Sequence, residues 1–407
     1  MDVRINSINS FKGYDARPLR GYLMTSNISG ITAEMRSIGE KEGFKIFGVV
    51  KKEGEKPFCS LSKNPGYDVS RAMWAQDLWT MYNGKIFTEK FDEMAETIGS
   101  FFGLKPDFTE NIARTSDKYR KLREKLDRLY TDRENPSRVF DIADANWDMV
   151  QFYHSTHIQG GNIYMVKGDA GDEIIIGADE LEKYSLDEIS GMYNVDKITV
   201  LPQMDYHLDL FIRPLDNKRI LLADDNMMLD VFKKIRNEAE GLRNLKGMFI
   251  RNSINGIRRS MLASMGKNNF AKTDEVEEIL TNAGYEVIRV PGRIYTIDIS
   301  ETSNKQNLSC ACNYLNANVL KNKDGKIVYI TNKSDVDRSI GLNDKTIQKI
   351  NCSIEQAFVE AISKYVDPEH VYFVSGNDNY IAKKMLPILY GGIHCVCSEV
   401  PYGEGQA

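Results

Sequence analysis

Cysteine is scarce in this chain, with six residues in 407, at positions 59, 310, 312, 352, 395 and 397. That is too sparse for a disulfide scaffold, so the thiols are read as free and the compartment as reducing, the cytoplasm. Two Cys-x-Cys pairs, Cys310/Cys312 and Cys395/Cys397, raise the question of a four-thiolate zinc site. Structural zinc favours wider knuckles, so no metal and no cofactor are assigned. Positive charge is lacking too. A formal net charge of −5 gives no reason to expect nucleic acid, whose binding needs clustered cations. No apolar run reaches the length of a membrane span, and Met1-Asp2-Val3-Arg4 does not open a secretory signal. What remains is a soluble globular composition, 42% hydrophobic and 27% charged. At 407 residues the chain buries a large core, as one big domain or two ordinary ones. The sequence assigns no oligomeric state.

Turn chemistry reveals a recurring unit. Leu78 to Met81 is followed by Asn83-Gly84 and Lys85-Ile86-Phe87, and Asn-Gly is the strongest short hairpin signal. Asn162 to Val166 turns through 168–171 into Glu173 to Ile176. Leu208 to Arg213 turns at Asp216-Asn217 into Arg219 to Leu222. Tyr314 to Leu320 turns at Asp324-Gly325 into Lys326 to Ile330. Between hairpins the pattern reads helix, glycine, strand. Thr32 to Glu42 gives way at Gly43 to Phe44 to Phe47. Asp274-x-x-Glu277 has capping-box spacing before a helix ending at Gly284, and Ser353-x-x-Gln356 is read as another helix start. Hairpin, helix and strand repeated argue for a ββαβ module set radially around an axis. An ordinary mixed α/β sandwich accounts for the periodicity equally well. Motif placement favours the radial arrangement: Asp77, Asn162, His207 with Asp209, and Asn313 each stand near the start of a hairpin, and equivalent positions in a radial repeat converge.

Residues 89–145 interrupt the repeat. Tyr119, Leu122, Leu126 and Leu129 form an apolar stripe among Lys and Arg, so this segment reads as an inserted helical subdomain. Arg243, Lys246, Arg251, Arg258, Arg259 and Lys267 are scattered along 243–267 and read as a solvated face rather than an anion-docking surface.

Three segments carry chemistry: Trp74-Ala75-Gln76-Asp77, Asp205-Tyr206-His207-Leu208-Asp209, and Gly391-Gly392-Ile393-His394-Cys395. They supply a thiol, an imidazole and carboxylates suited to gripping a planar cation. A guanidinium pairs with carboxylates in bidentate fashion, and its central carbon accepts a soft nucleophile. Asp77 and Asp209 are assigned to the clamp and His207 to acid–base work. Strand alternation would give His207 and Asp209 one direction and turn His394 away from Cys395. Each motif has a plain structural reading as well. Asp-x-His-x-Asp on a strand is often a salt-bridged ladder, and a cysteine beside glycines is usually a buried, inert thiol.

The same segments resemble one family, the guanidino-group-modifying enzymes of the pentein fold. Trp-Ala-Gln-Asp is similar to the Trp-x-Gln-Asp of peptidylarginine deiminases, and His207-Leu208-Asp209-Leu210-Phe211 to the shared His-x-Asp-x-Phe. Gly-Gly-Ile-His-Cys resembles the nucleophile segment of agmatine deiminases. Gln159-Gly160-Gly161-Asn162 resembles their Glu-Gly-Gly-Asn, with Gln in place of Glu. The resemblance implies an α/β, five-bladed ββαβ propeller over residues 1–407 as a single catalytic domain, with 89–145 as a helical insertion. It places the nucleophile at Cys395 rather than Cys397. It sets Trp74, Gln76, Gly161, Asn162, Phe211, Asn313 and Gly392 around a small-molecule or peptidyl arginine-type substrate.

Attack by Cys395 and protonation of departing ammonia by His207 would leave a thiouronium, which water hydrolyses to a ureido product. Three classes stay open at this point. They are a deiminase, an amidinotransferase in which an amine replaces water, and a non-catalytic propeller that binds a guanidinium or a protein. Free arginine would need a cation for its carboxylate, with Arg17, Arg213 and Arg293 as unranked candidates.

Overall fold

Turn and cap signals in the sequence translate into paired strands and stopped helices. Residues 21–24, 30–48, 74–82, 85–88, 151–154, 158–167, 172–240, 245–294, 310–336, 344–386 and 391–399 are described by a computed structural model. Gly21–Met24 (β1) leads through helix Ile31–Glu42 (α1) into Lys45–Gly48 (β2), parallel to β1. Gly43 ends α1 at φ +88°, a left-handed position that glycine adopts at no steric cost.

After a single helical turn, Ala75–Leu78 (α2), Trp79–Tyr82 (β3) pairs antiparallel with Lys85–Thr88 (β4), as the intervening Asn-Gly predicts. β4 pairs parallel with Gln151–His154 (β5). This pattern, an antiparallel pair with a third strand parallel to its middle member, recurs. Ile163–Lys167 (β6), Asp172–Gly177 (β7) and Lys197–Leu201 (β8) form one such sheet. Ile212–Pro214 (β9), Arg219–Ala223 (β10) and Glu286–Val290 (β11) form the next. Asn318–Lys321, Ile327–Asn332 and Val371–Val374 (β14, β15 and β17) form another. In the remaining one, β1 is the middle strand, and Ser398–Glu399 (β18) pairs antiparallel to it. Among the described residues five sheets share this one topology, and Arg293–Ile294, Cys310–Asn313 and Asp335–Val336 (β12, β13 and β16) make a small sixth. The fold is α/β with mixed sheets. Helices Leu186–Tyr193 (α3), Asp225–Glu240 and Leu245–Asn282 (α4, α5), and Asp344–Ile362 (α6) each cross from a middle strand to its parallel neighbour.

Sheet alternation divides the core. Ile174 and Ile176 of β7 pack with Ile189 and Tyr193 of α3, while Ile175 between them joins Tyr164, Leu208 and Leu221. Both faces of the strand are therefore covered, which is why its sequence is a continuous β-branched run. In β15 the same split sends Val328 and Ile330 to one cluster and Tyr329 to another.

Two helix starts differ from the sequence expectation. Asp274 lies inside α5, which runs unbroken from Leu245, and Ser353 lies inside α6. In α6 the buried residues Ile347, Ile350, Ile354, Phe358 and Ile362 form one stripe at helical spacing, so burial continues upstream of Ser353. Its hydroxyl donates back to the Lys349 carbonyl, at 2.9 Å, instead of capping. The expected helical insertion at 89–145 lies outside the described residues, as does Arg17. Among the described residues no helix is long and apolar enough to cross a membrane.

Candidate active site

The cysteine loop is a turn, not a strand: residues 393–396 form it immediately before β18. Side chains of an asparagine-rich stretch hold it in place. Ile393 N donates to Asn332 Oδ1 at 2.8 Å, and His394 N donates to Asn316 Oδ1 at 2.9 Å. The Cys395 carbonyl accepts from Gln76 N at 3.2 Å, which ties the loop to the first segment. The two glycines ahead of it permit close approach, but by protein groups. A Cβ on Gly391 would lie 2.7 Å from the Trp74 ring, and one on Gly392 would lie 2.5 to 2.6 Å from the Asn316 and Asn332 amides.

His207 and Asp209 are likewise not on a strand. His207 is extended, and Leu208–Leu210 is a single 3-10 turn, yet both side chains come to Gly161. His207 Nε2 lies 2.6 Å from Gln159 Oε1, and its ring stacks on exposed Tyr206 with centroids 4.1 Å apart. The amide oxygen is an acceptor only, so Nε2 carries the proton. Asp209 is fully buried. Its Oδ2 accepts from Asn316 Nδ2 at 2.8 Å and from His394 Nδ1 at 2.8 Å, and lies 3.4 Å from Cys395 Sγ. Asn316 Nδ2 also reaches Cys395 Sγ, at 3.1 Å. A buried thiol, a buried carboxylate and a shared amide donor therefore form one cluster.

Other expected residues serve mainly to hold this cluster. Asn162 donates to Glu180 at 2.9 Å, and its Oδ1 accepts from Gln203 at 3.0 Å and from Leu208 N at 3.3 Å. Asn313 donates to the Leu210 carbonyl at 3.0 Å and accepts from Leu315 N and Asn316 N, so it sets both the Asp209 turn and the Asn316 loop. Phe211 packs in the main core. Trp74 and Gln76 are buried beside the cysteine loop. Asp77 belongs to α2 by its backbone, and its side chain lies outside the described residues. Of the candidate carboxylate-binding arginines, Arg213 is fully buried and donates to Tyr164 Oη at 3.4 Å. Arg293 pairs with Asp225 and Asp205, each at 3.3 Å.

Sequence reasoning missed Asn316, Asn332 and the Gln159–His207 bond, and strand alternation turned His394, which could orient its neighbours, away from Cys395. The available signal was polarity out of place: Asn313, Asn316 and Asn318 interrupt the apolar run Tyr314, Leu315, Ala317, Val319, Leu320. Among the described residues one group of potential metal ligands comes together, Asp367, Glu369 and His370, outside the three segments. Lys326 already pairs with Asp367 and Glu42 with His370.

The electrostatics separate the two thiols and the two histidines. Burial pushes the Cys397 thiol up to about 12, which leaves it inert at neutral pH. Burial first, then the charges of Arg213 and His207, hold His394 well below the ordinary imidazole range, so it is neutral. This has a stability consequence. As pH falls through about 6.5, the unfolded imidazole takes up a proton that the folded one refuses, so stability present above that pH is lost below it. Denaturant unfolding at pH 7.5 and 5.0 should show a smaller drop in His394→Asn than in the native chain.

A Cβ on Gly161 would lie 2.5 Å from His207 Nδ1 and 3.2 Å from Asp209 Oδ1. Gly161→Ala must therefore displace the imidazole. With His207 read as the acid–base group, the expected result is an activity loss of about 10²-fold, the usual consequence of shifting such a group by about 1 Å. Steady-state kinetics check this, alongside denaturant unfolding to record the cost of overpacking, about 1–3 kcal/mol.

No protein-family model and no curated protein sequence matches the chain. Solved structures do. The chain is similar to C. jejuni agmatine deiminase, at 11% identity and a TM-score of 0.47, covering 95% of this chain and 94% of that one. A substrate-bound structure of C. jejuni agmatine deiminase matches at 11% identity and TM-score 0.44, covering 95% of each chain. DDAH from Pseudomonas aeruginosa, complexed with citrulline, matches at 10% identity and TM-score 0.35, covering 94% of this chain and 99% of that one. The similar solved structures are pentein-superfamily guanidino-modifying enzymes.

Proposed function

We propose that this protein is a deiminase acting on an arginine-type guanidinium, releasing ammonia and a ureido product. One observation carries the reading: a fully buried carboxylate, Asp209, lies 3.4 Å from the sulfur of a buried cysteine, Cys395. Two anions so close would repel each other, and Cys395 Sγ is placed to donate to Asp209 Oδ2. A guanidinium entering between the clamp carboxylates supplies the missing positive charge. The thiol proton then passes to His207, and Cys395 Sγ bonds to the guanidinium carbon to give a tetrahedral adduct. His207 returns that proton to one nitrogen, the C–N bond breaks, and ammonia leaves a thiouronium on Cys395. Water loses a proton to His207 as its oxygen bonds to the carbon. The C–S bond then breaks, the ureido product departs, and His207 reprotonates the thiol. Acid–base help of this kind contributes about 10²–10⁴ in rate.

The five sheets of one topology are read as the five blades of a pentein-type propeller, a single catalytic domain in which 89–145 is an insertion. Asp77 is read as the second carboxylate of the clamp. Cys352 and Cys397 are free thiols, which suits a reducing compartment such as the cytoplasm.

The test offers agmatine, free arginine and an arginine peptide, with ammonia and ureido product measured in parallel. Stoichiometric release of both from one substrate is the expected result. Ammonia-free transfer of the amidine to an added amine would reassign the protein as an amidinotransferase. Guanidinium binding with no turnover of any substrate would leave only the non-catalytic reading.

A further inference from the structure

His394 joins all three segments of the site. It is buried, at 2% exposure, and each ring nitrogen has its own partner: Nδ1 lies 2.8 Å from Asp209 Oδ2 and Nε2 lies 2.8 Å from Gln76 Nε2. With a neutral ring, these contacts admit one proton arrangement. Asp209 is an acceptor, so Nδ1 carries hydrogen. Gln76 presents its amide N–H, so Nε2 is the bare acceptor. The same arrangement fixes the Gln76 amide, because its nitrogen is committed to the imidazole. Gln76 Oε1 is left buried with no hydrogen-bond partner among the described residues. A buried acceptor in that condition is destabilising, and a donor from a ligand relieves it.

We propose that His394 is a positioning residue of this site, a neutral Nδ1-protonated imidazole that orients the Asp209 carboxylate on one side and the Gln76 amide on the other, so that Gln76 Oε1 serves as a neutral acceptor for a substrate N–H. This inference rests on the guanidinium-site reading for its substrate, and on geometry and the burial of the ring for its tautomer. The surroundings agree with a neutral ring. Besides Asp209, the ionisable groups acting on it are Arg213 and His207, and Tyr164 stacks against it at 6.1 Å. The device also explains how Asp209 keeps its direction without being neutralised. Asn316 and His394 both donate to Oδ2, and neither brings a charge.

Two measurements test it. Long-range proton–nitrogen correlation on protein carrying labelled histidine reads the tautomer directly. With five histidines in the chain, the His394 signals are identified by their loss in His394→Asn or His394→Gln. The expected pattern is a protonated Nδ1 and a bare Nε2, unchanged from pH 8 to pH 5. An imidazolium appearing in that range, or the opposite tautomer, overturns the proposal. The two variants then divide the roles. Asn places an amide N–H where Nδ1 was, keeping the Asp209 bond and releasing Gln76. Gln reaches the Nε2 position and releases Asp209. His394→Gln should lower kcat/KM by about 10–100-fold with kcat falling, as loss of an orienting partner does. His394→Asn should raise KM with kcat nearly kept. Equal effects of both on kcat and KM would overturn the division. The nitrogen spectra need no substrate, so an inactive wild type would sink the deiminase reading alone, while a wrong tautomer in an active enzyme would sink this one alone.

Discussion

Cys395→Ser is expected to abolish turnover, with kcat falling on the order of 10⁶-fold as when a catalytic nucleophile is removed elsewhere, while a guanidinium ligand still binds. The hydroxyl that replaces the thiol is a far weaker nucleophile at neutral pH, yet it fits the space and keeps a contact for Asn316. The neighbouring thiol supplies the control. Cys397 is packed in an apolar cluster, and burial pushes its titration up to about 12, so Cys397→Ala should lose stability and retain activity. A halo-amidine probe should add one mass increment to the C-terminal peptide in the native enzyme and in Cys397→Ala, and none in Cys395→Ser. Labelling confined to Cys397, or full activity in Cys395→Ser, would falsify the nucleophile assignment.

Asp209→Asn should come next in size. The change removes one negative charge from a side chain with no exposure, in a place where His394, Asn316 and Cys395 all point donors at one oxygen. Removing one partner of a desolvated charge pair costs about 2–5 kcal/mol, so guanidinium affinity should fall by roughly 30- to 5,000-fold. Titration calorimetry in a Cys395→Ser background isolates this binding term from chemistry. An unchanged dissociation constant would remove Asp209 from the clamp. The loss should be uniform across guanidine ligands, because the carboxylate meets the cation and not the remainder of the molecule.

Much of this arrangement was legible because its signals are local and strong. Gly43 terminates α1 at positive φ, β3 and β4 flank an Asn-Gly, and Asp216 Oδ1 accepts from Lys218 N and Arg219 N, both at 2.9 Å, to fold the turn before β10. Bringing Gln76, Asp209 and Cys395 together was readable only from the order of motifs. Where the reading failed, a non-local force had overridden a local rule. The spacing at Asp274 and Ser353 suits a cap, but both helices continue upstream, α6 along a buried stripe of isoleucines. His394 was turned away from the site by strand alternation, whereas a turn held by two distant asparagines carries it in. The identity of those anchors depends on which loops meet, and pairwise spacing along a chain does not carry that information.

The pairing of β18 with β1 sets an order of assembly. Tyr22 sits opposite Glu399, so this sheet closes a loop spanning nearly the whole described chain, and Cys395 stands just ahead of the closing strand. Closing so long a loop gains its contacts late, after its entropy has been lost. During vectorial synthesis, at about 5–20 residues per second, Gln76, His207, Asp209 and Asn316 all emerge well before the sulfur does. A nascent chain would thus hold an acceptor-rich pocket before it holds a nucleophile. Reactivity would arrive only when β18 docks on β1.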